Sequence, residues 1–513
     1  MSRRLIIALA IVFVAAFAVG AYAEVQNIKV SGDILMQAID RDNFTLSKGV
    51  EGAGTGLLGL DSQEEYHVSG LTTQVRLRVD ADLTDNVSAT VRLLNERSWG
   101  LENELGWTVN DEGNNSEFDI DLAFVTLKEF LYSPLTLTIG RQEIKFGNGF
   151  IIGDANAGFA TAAYYVPPDL SLRKAFDAIR ATLNYDPLVI DIIYAKIDES
   201  DWSMNGMPWY GDIGLSENND VDLYGINAAY NLGERNASLD VYYFARVDQR
   251  KDAWIPAGGG IFDTKEVDAD TIHTIGGLVK ADIIPGVLKG SVEFAHQFGR
   301  AAMYNGAALT EMGDRDAWAG QAMITALYKE QPFAGFVYSY FSGDKEVYNG
   351  EMRGWDPMFE DQVANAVVEA LLPATNCHVY NLWAGAKPTE DITVSLVYGY
   401  YRLAEDIQRD PTILGLFGGD SDTRLLGVVP YSANGFYSMT ESKDLGHAFD
   451  LTATYDYTED VQFGLTFGIF FPGHAFRKDA SNTDIPVPGL EDALGYGNHE
   501  TARQLIGSMK VTF

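Results

Sequence analysis

The sequence predicts an all-β fold, a transmembrane antiparallel β-barrel of about 18 strands with short turns at one face and long loops at the other. Three observations predict it. A period-two alternation of apolar and polar residues runs from Val30 to the last residue. The N-terminus has the form of an export signal, and no later apolar run reaches the ~20 residues of a spanning helix. The connections alternate between short and long, as they do when all turns of one kind lie at one membrane face.

At the N-terminus, Arg3 and Arg4 precede the apolar run Leu5 to Val19, and Ala21-Tyr22-Ala23 has the form of a small-residue cleavage site. Residues 1–23 are therefore expected to be a cleavable signal peptide and residues 24–513 the barrel, placed in the bacterial outer membrane. The competing expectation is a retained anchor, because the apolar run nearly spans a bilayer. Formal net charge is −35 over 513 residues, which gives no basic footprint for nucleic acid. Cys377 is the only cysteine, so an internal disulfide and a cysteine metal cluster are excluded.

The strands follow from alternation. Val87, Ala89, Val91 and Leu93 oppose Ser88, Thr90 and Arg92; Phe449, Leu451, Ala453 and Tyr455 oppose Asp450, Thr452, Thr454 and Asp456. Short connections are rich in turn residues: LTDN (83–86), YDP (185–187), IPG (284–286), KPTED (387–391) and YTED (457–460). Between them fall long polar connections over 198–220, 300–316, 343–376, 405–445 and 472–501. With open strand edges forbidden in lipid, such a sheet must close. The last strand, RQLIGSMKVTF, carries Leu505, Gly507, Met509, Val511 and Phe513 on one face. A terminal aromatic there resembles the signal by which barrel-assembly machinery recognises its clients, so that machinery is an expected partner through Phe513. Aromatics near strand ends, as in VYYF (241–244), FVYSYF (336–341) and VYGYY (397–401), read as interfacial girdle residues or as sheet packing.

In QVRLRVD (74–80), Val75, Leu77 and Val79 then face lipid while Gln74, Arg76, Arg78 and Asp80 face the lumen. Parity adds Arg92 on the next strand and Arg180 on a later one. Clustered positive charge in a pore concentrates anions. The other reading is an ion-pair ladder with inward carboxylates such as Asp80, Asp119 and Asp121; inner parity also yields Asp33, Asp191, Asp240, Glu293, Asp450 and Asp456.

The segments IGRQEIKFGNGFIIGD (139–154) and FDAIR (176–180) resemble motifs of the alginate-export family of outer-membrane barrels; elsewhere the resemblance is one of architecture. It implies passage of a long anionic polysaccharide through an arginine-lined constriction. On that resemblance Arg141 and Arg180 line the pore, with Arg76, Arg78 and Arg92 as further candidates for selectivity. Arg141 shares its parity with Leu135, Leu137 and Ile139, so a bulge at Gly140 is needed to turn it inward.

The connection between these motifs is apolar for a loop: Ile151, Ile152, Phe159, Tyr164, Tyr165 and Val166. It is expected to fold onto the rim or into the lumen and narrow it, or else to contact the outer leaflet. EDQVANAVVEALL (360–372) places Val363, Ala366, Val367 and Leu371 at helical spacing, which predicts a short helix at the barrel mouth.

No catalytic residues are assigned and the chain is not read as an enzyme: no H-x-x-x-H pair, G-x-S-x-G elbow or phosphate-cradling loop is present. No cofactor and no metal are assigned, since GGDSDTR (418–424) lacks a full calcium ligand pattern. The expected function is a passive channel for an anionic polysaccharide or oligosaccharide, with a periplasmic scaffold of a secretion system as a further partner. The alternative is a general or anion-selective diffusion porin for small anionic solutes. A third class, a lipid-processing or adhesion barrel, would need a rim Ser/His/Asp set that the sequence does not offer. Outer-membrane lipid and lipopolysaccharide are expected partners, the acidic loops holding bridging cations or simply being solvated.

Overall fold

The computed structural model describes residues 27–44, 46, 67–99, 118–132, 134–157, 166–198, 220–249, 269–305, 308–329, 331–345, 350–362, 365–405, 442–476 and 500–513. The signal segment, GGDSDTR, and Phe159, Tyr164, Tyr165 and Val363 lie outside the described residues. The chain runs as β1 (Asn27–Asp42), β2 (His67–Thr84), β3 (Val87–Ser98), β4 (Asp119–Leu127), β5 (Leu135–Gln142), β6 (Phe176–Asn184), β7 (Leu188–Asp198), β8 (Val221–Asn231) and β9 (Ser238–Asp248). It continues as β10 (Asp270–Ile284), β11 (Leu288–Asn305), β12 (Ala308–Tyr328), β13 (Gln331–Phe341), β14 (Glu351–Met352), α1 (Ala366–Glu369), β15 (Cys377–Ala386), β16 (Ile392–Leu403), β17 (Asp444–Asp456), β18 (Val461–Pro472) and β19 (Ala502–Thr512).

Eighteen of these strands form one closed antiparallel wall in which each pairs with its neighbours in sequence. Closure is made at β1, where Asp33 stands opposite Arg76 of β2 and Thr512 of β19. The two-residue β14 is extra and pairs in parallel with Asp314 and Arg315 of β12. The turn-rich stretches found in the sequence are the short connections, and all fall at one end of the wall.

The wall is inverted relative to a soluble barrel. Outward parity exposes apolar side chains, among them Val292 (60%), Leu382 (55%) and Leu465 (52%), as a lipid-facing surface requires. The inner face is divided by height. Near the short turns it is polar, with Thr452, Thr466 and Ser508. Toward the long loops it turns apolar, and Leu223, Phe244, Ile272, Phe341 and Phe470 are buried there.

Two connections cover that apolar zone from within: 143–157, after β5, and 350–362, which contains β14. Their Ile144, Phe150, Ile152, Trp355, Met358 and Phe359 join the inward wall residues in one buried cluster. The rings of Phe150 and Phe341 stack at 5.7 Å, and those of Phe150 and Trp355 at 6.1 Å. Each large side chain buried in this way contributes about 1.5–3 kcal/mol, which is why a loop so apolar is stable inside the lumen rather than in open water. The girdle aromatics divide accordingly. Tyr242, Phe244, Tyr401 and Phe470 point inward into this cluster, and Tyr243, Tyr398, Tyr400 and Phe449 point outward.

The expected helix is shorter than its pattern. Among the described residues of that stretch only Ala366–Glu369 is helical, and Val367, Val368, Leu371 and Leu372 are buried against the inner wall rather than set on the mouth. Asn365, at its N-cap position, makes no side-chain cap: its Oδ1, which would accept from the helix, accepts from the Tyr401 hydroxyl (2.8 Å) while its amide donates to Asp450 (2.7 Å), and Pro373 follows closely.

Candidate functional site

The candidate site is the lumen where wall arginines meet the inserted segments. Period-two geometry places Arg76 and Arg78 on the inner face of β2, because Leu77 between them is exposed to the outside. Arg76 donates to Asp33 of β1 (Nε to Oδ1, 2.9 Å). Arg78 donates to Asp80 two residues along its own strand (2.8 Å), and Thr90 Oγ1 donates to the same carboxylate (2.7 Å).

Arg92 is 7% exposed and holds Asp121 at 2.5 Å. A register shift at Arg92/Leu93 in the β3–β4 pairing makes room for that contact. Its other branch reaches Glu143 at the root of the first inserted segment, so Arg92 ties wall to insert. Arg180 of β6 donates to Asp191 (2.8 Å) and lies over the Phe146 ring at 5.4 Å. Fixed arginine over an aromatic face adds about 0.5–2 kcal/mol to the docking of that insert.

Arg141 departs from the expectation. Gly140 has φ +120°, and a Cβ there would lie 2.1 Å from the Ala123 carbonyl oxygen, so glycine is required. The register nevertheless passes through it without a shift: Gly140 opposes Ala178 and Arg141 opposes Asp177. Arg141 therefore keeps the outward parity of Ile139 and pairs with Asp177 at 3.3 Å. Gln142 takes the inward position, with its amide donating to the carbonyls of Gly140 and Ala178 at 3.1 Å.

The inserts carry charges of their own. Asp361 accepts from Lys145 at 2.7 Å and from Lys174, so one carboxylate joins three separate stretches of chain. Burial alone would raise its pKa, but the two lysines outweigh that and hold it below the ordinary carboxylate value. Neighbouring Glu360 has no such cation among the described residues; burial, with Glu369 and Asp361 nearby, pushes it up to about 8. Burial likewise pushes Asp154 up to about 6.

The two inserts also share backbone bonds: Gly153 N to Phe359 O (2.7 Å), Phe359 N to Ile151 O (3.1 Å) and Asp361 N to Gly149 O (2.8 Å). The second insert is keyed to the wall by Gln297, whose amide donates to Asp356 O (2.7 Å) and accepts from Asp356 N (3.0 Å). A further ion pair joins the second insert to the wall, Arg246 to Asp356 (2.9 Å), and the stretch before β6 is tied to the wall by Arg173 to Glu96 (3.0 Å) and Arg41 to Asp169.

Sequence reasoning missed Lys145, Arg173, Lys174, Arg246 and Asp361. Lys145 lies within the quoted motif and Lys174 two residues before FDAIR, so proximity to those motifs was the available signal. Chemically, the arrangement offers ion-paired guanidinium and carboxylate groups on the inner wall beside an apolar cluster.

Residues 59–485 match the model of a family described as alginate export. Solved barrels of low identity resemble the chain. Pseudomonas aeruginosa OccK9 (OpdG) has 10% identity and a TM-score of 0.49 over 94% of this chain and 99% of that one. P. aeruginosa OccK2 (OpdF) in complex with glucuronate has 10% identity and a TM-score of 0.48 over 96% and 100%. P. aeruginosa OpdK with vanillate has 10% identity and a TM-score of 0.48 over 94% and 99%. No curated protein matches.

Proposed function

The chain belongs to the alginate-export family and is an outer-membrane channel, and on that premise we propose that it conducts an anionic saccharide past the arginines of β2, β3 and β6. The observation that carries this reading is that Arg76, Arg78, Arg92 and Arg180 occupy inward positions of one stretch of wall, each already engaged with a carboxylate. A sugar carboxylate is the same ligand as the wall carboxylate it meets. The exchange of one for the other retains the charge-assisted pair on the arginine and releases the displaced wall carboxylate to lumen water until the cargo moves on and that carboxylate returns to the arginine. Transport of this kind is passive and needs no reacting group. Passage of a long chain requires the two inserts to undock, since they fill part of the lumen.

The second reading is a diffusion channel for small anionic solutes. It is favoured by the same pairing, which cancels much of the fixed positive charge, and by the apolar cluster inside the lumen.

The test is the reversal potential of the purified protein in a planar bilayer under a salt gradient, with Arg76, Arg78, Arg92 and Arg180 changed together to Ser. Anion selectivity that collapses in the variant, with wild-type current blocked by added polyuronate, is the expected result. Selectivity unchanged by the substitutions, with no block by polyuronate, overturns the saccharide reading and leaves the small-solute channel.

A further inference from the structure

The lipid-facing surface repeats one construction at the long-loop end of the wall. Tyr243 of β9 bonds His273 Nδ1 of β10 at 2.7 Å, Tyr338 of β13 bonds His378 Nδ1 of β15 at 2.9 Å, and Tyr398 of β16 bonds His447 Nδ1 of β17 at 2.9 Å. In each case the pair is diagonal: the histidine stands opposite the residue two places beyond the tyrosine, Ala245, Tyr340 and Tyr400 respectively. A phenol is a better donor than acceptor and an imidazole nitrogen is a strong acceptor, so the tyrosine proton fixes the ring with its own N–H at Nε2.

From β13 to β17 the outward residues form three successive rungs. The rung nearest the bilayer centre holds Phe336, Leu382, Tyr398 and Phe449. The next holds Tyr338, Tyr380, Tyr400 and His447, with neighbouring ring centroids 5.0, 6.0 and 4.8 Å apart. The last, toward the long loops, holds Tyr340, His378 and Arg402. This order, apolar then amphipathic then cationic, is the polarity profile of a lipid read from acyl chain to headgroup.

Arg402 is exposed and has no carboxylate partner among the described residues. The acidic groups beside it are engaged elsewhere: Glu405 with Lys443 (3.4 Å) and Asp444 with His474 (3.1 Å). Arg402 and Lys443 balance Glu405 and Asp444, so the patch is locally neutral on a chain of net charge −35, with Arg402 its exposed cation.

We propose that this face docks the phosphate-bearing headgroup of an outer-leaflet lipopolysaccharide molecule. Arg402 pairs with phosphate oxygens, and Nε2–H of His378 and His447 donates to the same group. The tyrosine rungs below pack the sugar and the upper acyl carbons.

The experiment compares lipopolysaccharide with its enzymatically dephosphorylated form, scoring lipid retained by the detergent-purified protein in native mass spectrometry. Proteins compared are wild type, the triple variant Arg402→Ser, His378→Phe, His447→Phe, and Arg141→Ser, an outward arginine of β5 on the far side of the wall. The expected result is at least roughly tenfold weaker retention by the triple variant, no change in Arg141→Ser, and equally weak binding of dephosphorylated lipid by wild type. Heat-modifiable electrophoretic mobility shows that the triple variant still forms its barrel; should it not, Arg402→Ser alone is scored in the same way. Equal binding of the two lipids, or unchanged retention by a folded variant, overturns the proposal. Full displacement by millimolar inorganic phosphate also overturns it, since the site would then serve a soluble anion.

Discussion

Trp355→Ala should undock the inserted segments without opening the wall. Trp355 is fully buried between the rings of Phe150 (6.1 Å) and Phe341 (6.5 Å), and its backbone bond to Ser342 O (2.9 Å) survives the substitution. Truncating a buried tryptophan costs about 3–5 kcal/mol. Part of that is recovered, because the indole Nε1 is buried with no partner among the described residues, a defect of about 1–3 kcal/mol that the alanine removes. The net loss is about 2 kcal/mol, a roughly thirtyfold shift toward the undocked state.

Cys377 is a built-in reporter of that shift. It is the only cysteine, is 4% exposed, and belongs to the same buried cluster. With docking fast relative to modification, its labelling rate by a water-soluble maleimide follows the undocked population, so the variant should label roughly thirtyfold faster. Single-channel conductance should rise in parallel, while heat-modifiable mobility stays that of wild type. Unchanged labelling and conductance in a folded variant would refute the reasoning, since the cluster would then not be what holds the inserts in place.

The remaining predictions use the same assays. Arg141→Ser should leave ion selectivity unaltered in reversal-potential measurements, because Arg141 pairs with Asp177 on the outward parity; a loss as large as that of Arg180→Ser would contradict this placement. Asp361→Asn should accelerate Cys377 labelling at neutral pH and have little effect at very low pH. The folded carboxyl titrates below its ordinary value, so its contribution is full above pH ~4 and is lost as pH falls through the depressed pKa. Glu360 gives the opposite slope: with its pKa raised to about 8, the docked state holds a proton that the undocked state releases near pH ~4.3. Docking should weaken as pH rises between those values, and Glu360→Gln should flatten that dependence of the labelling rate.

The sequence by itself determined the class of the fold and the facing of most of its side chains. Alternation of period two leaves one bit per strand, inward or outward, and the inverted hydrophobicity sets that bit once closure in lipid is required. Arg76, Arg78, Arg92 and Arg180 therefore stood on the inner face before any register was known, whereas Arg141, whose parity is that of Leu135, Leu137 and Ile139, was expected inward through a bulge at Gly140 that the register does not make. The apolar composition of the connection from Ile151 to Val166 argued against open water, leaving the rim, the lumen and the outer leaflet as its places.

Only the tertiary structure decided which carboxylate each arginine holds, because pairing depends on strand register, and a one-residue slip moves every partner. It alone placed the two inserts against each other. Lys145 and Asp361 are 216 residues apart, and no local pattern encodes which of several polar loops will supply the acceptor for a given lysine. The Tyr–His diagonals were hidden for the same reason: each tyrosine and histidine lies in an ordinary strand, and the pair exists only where two registers meet.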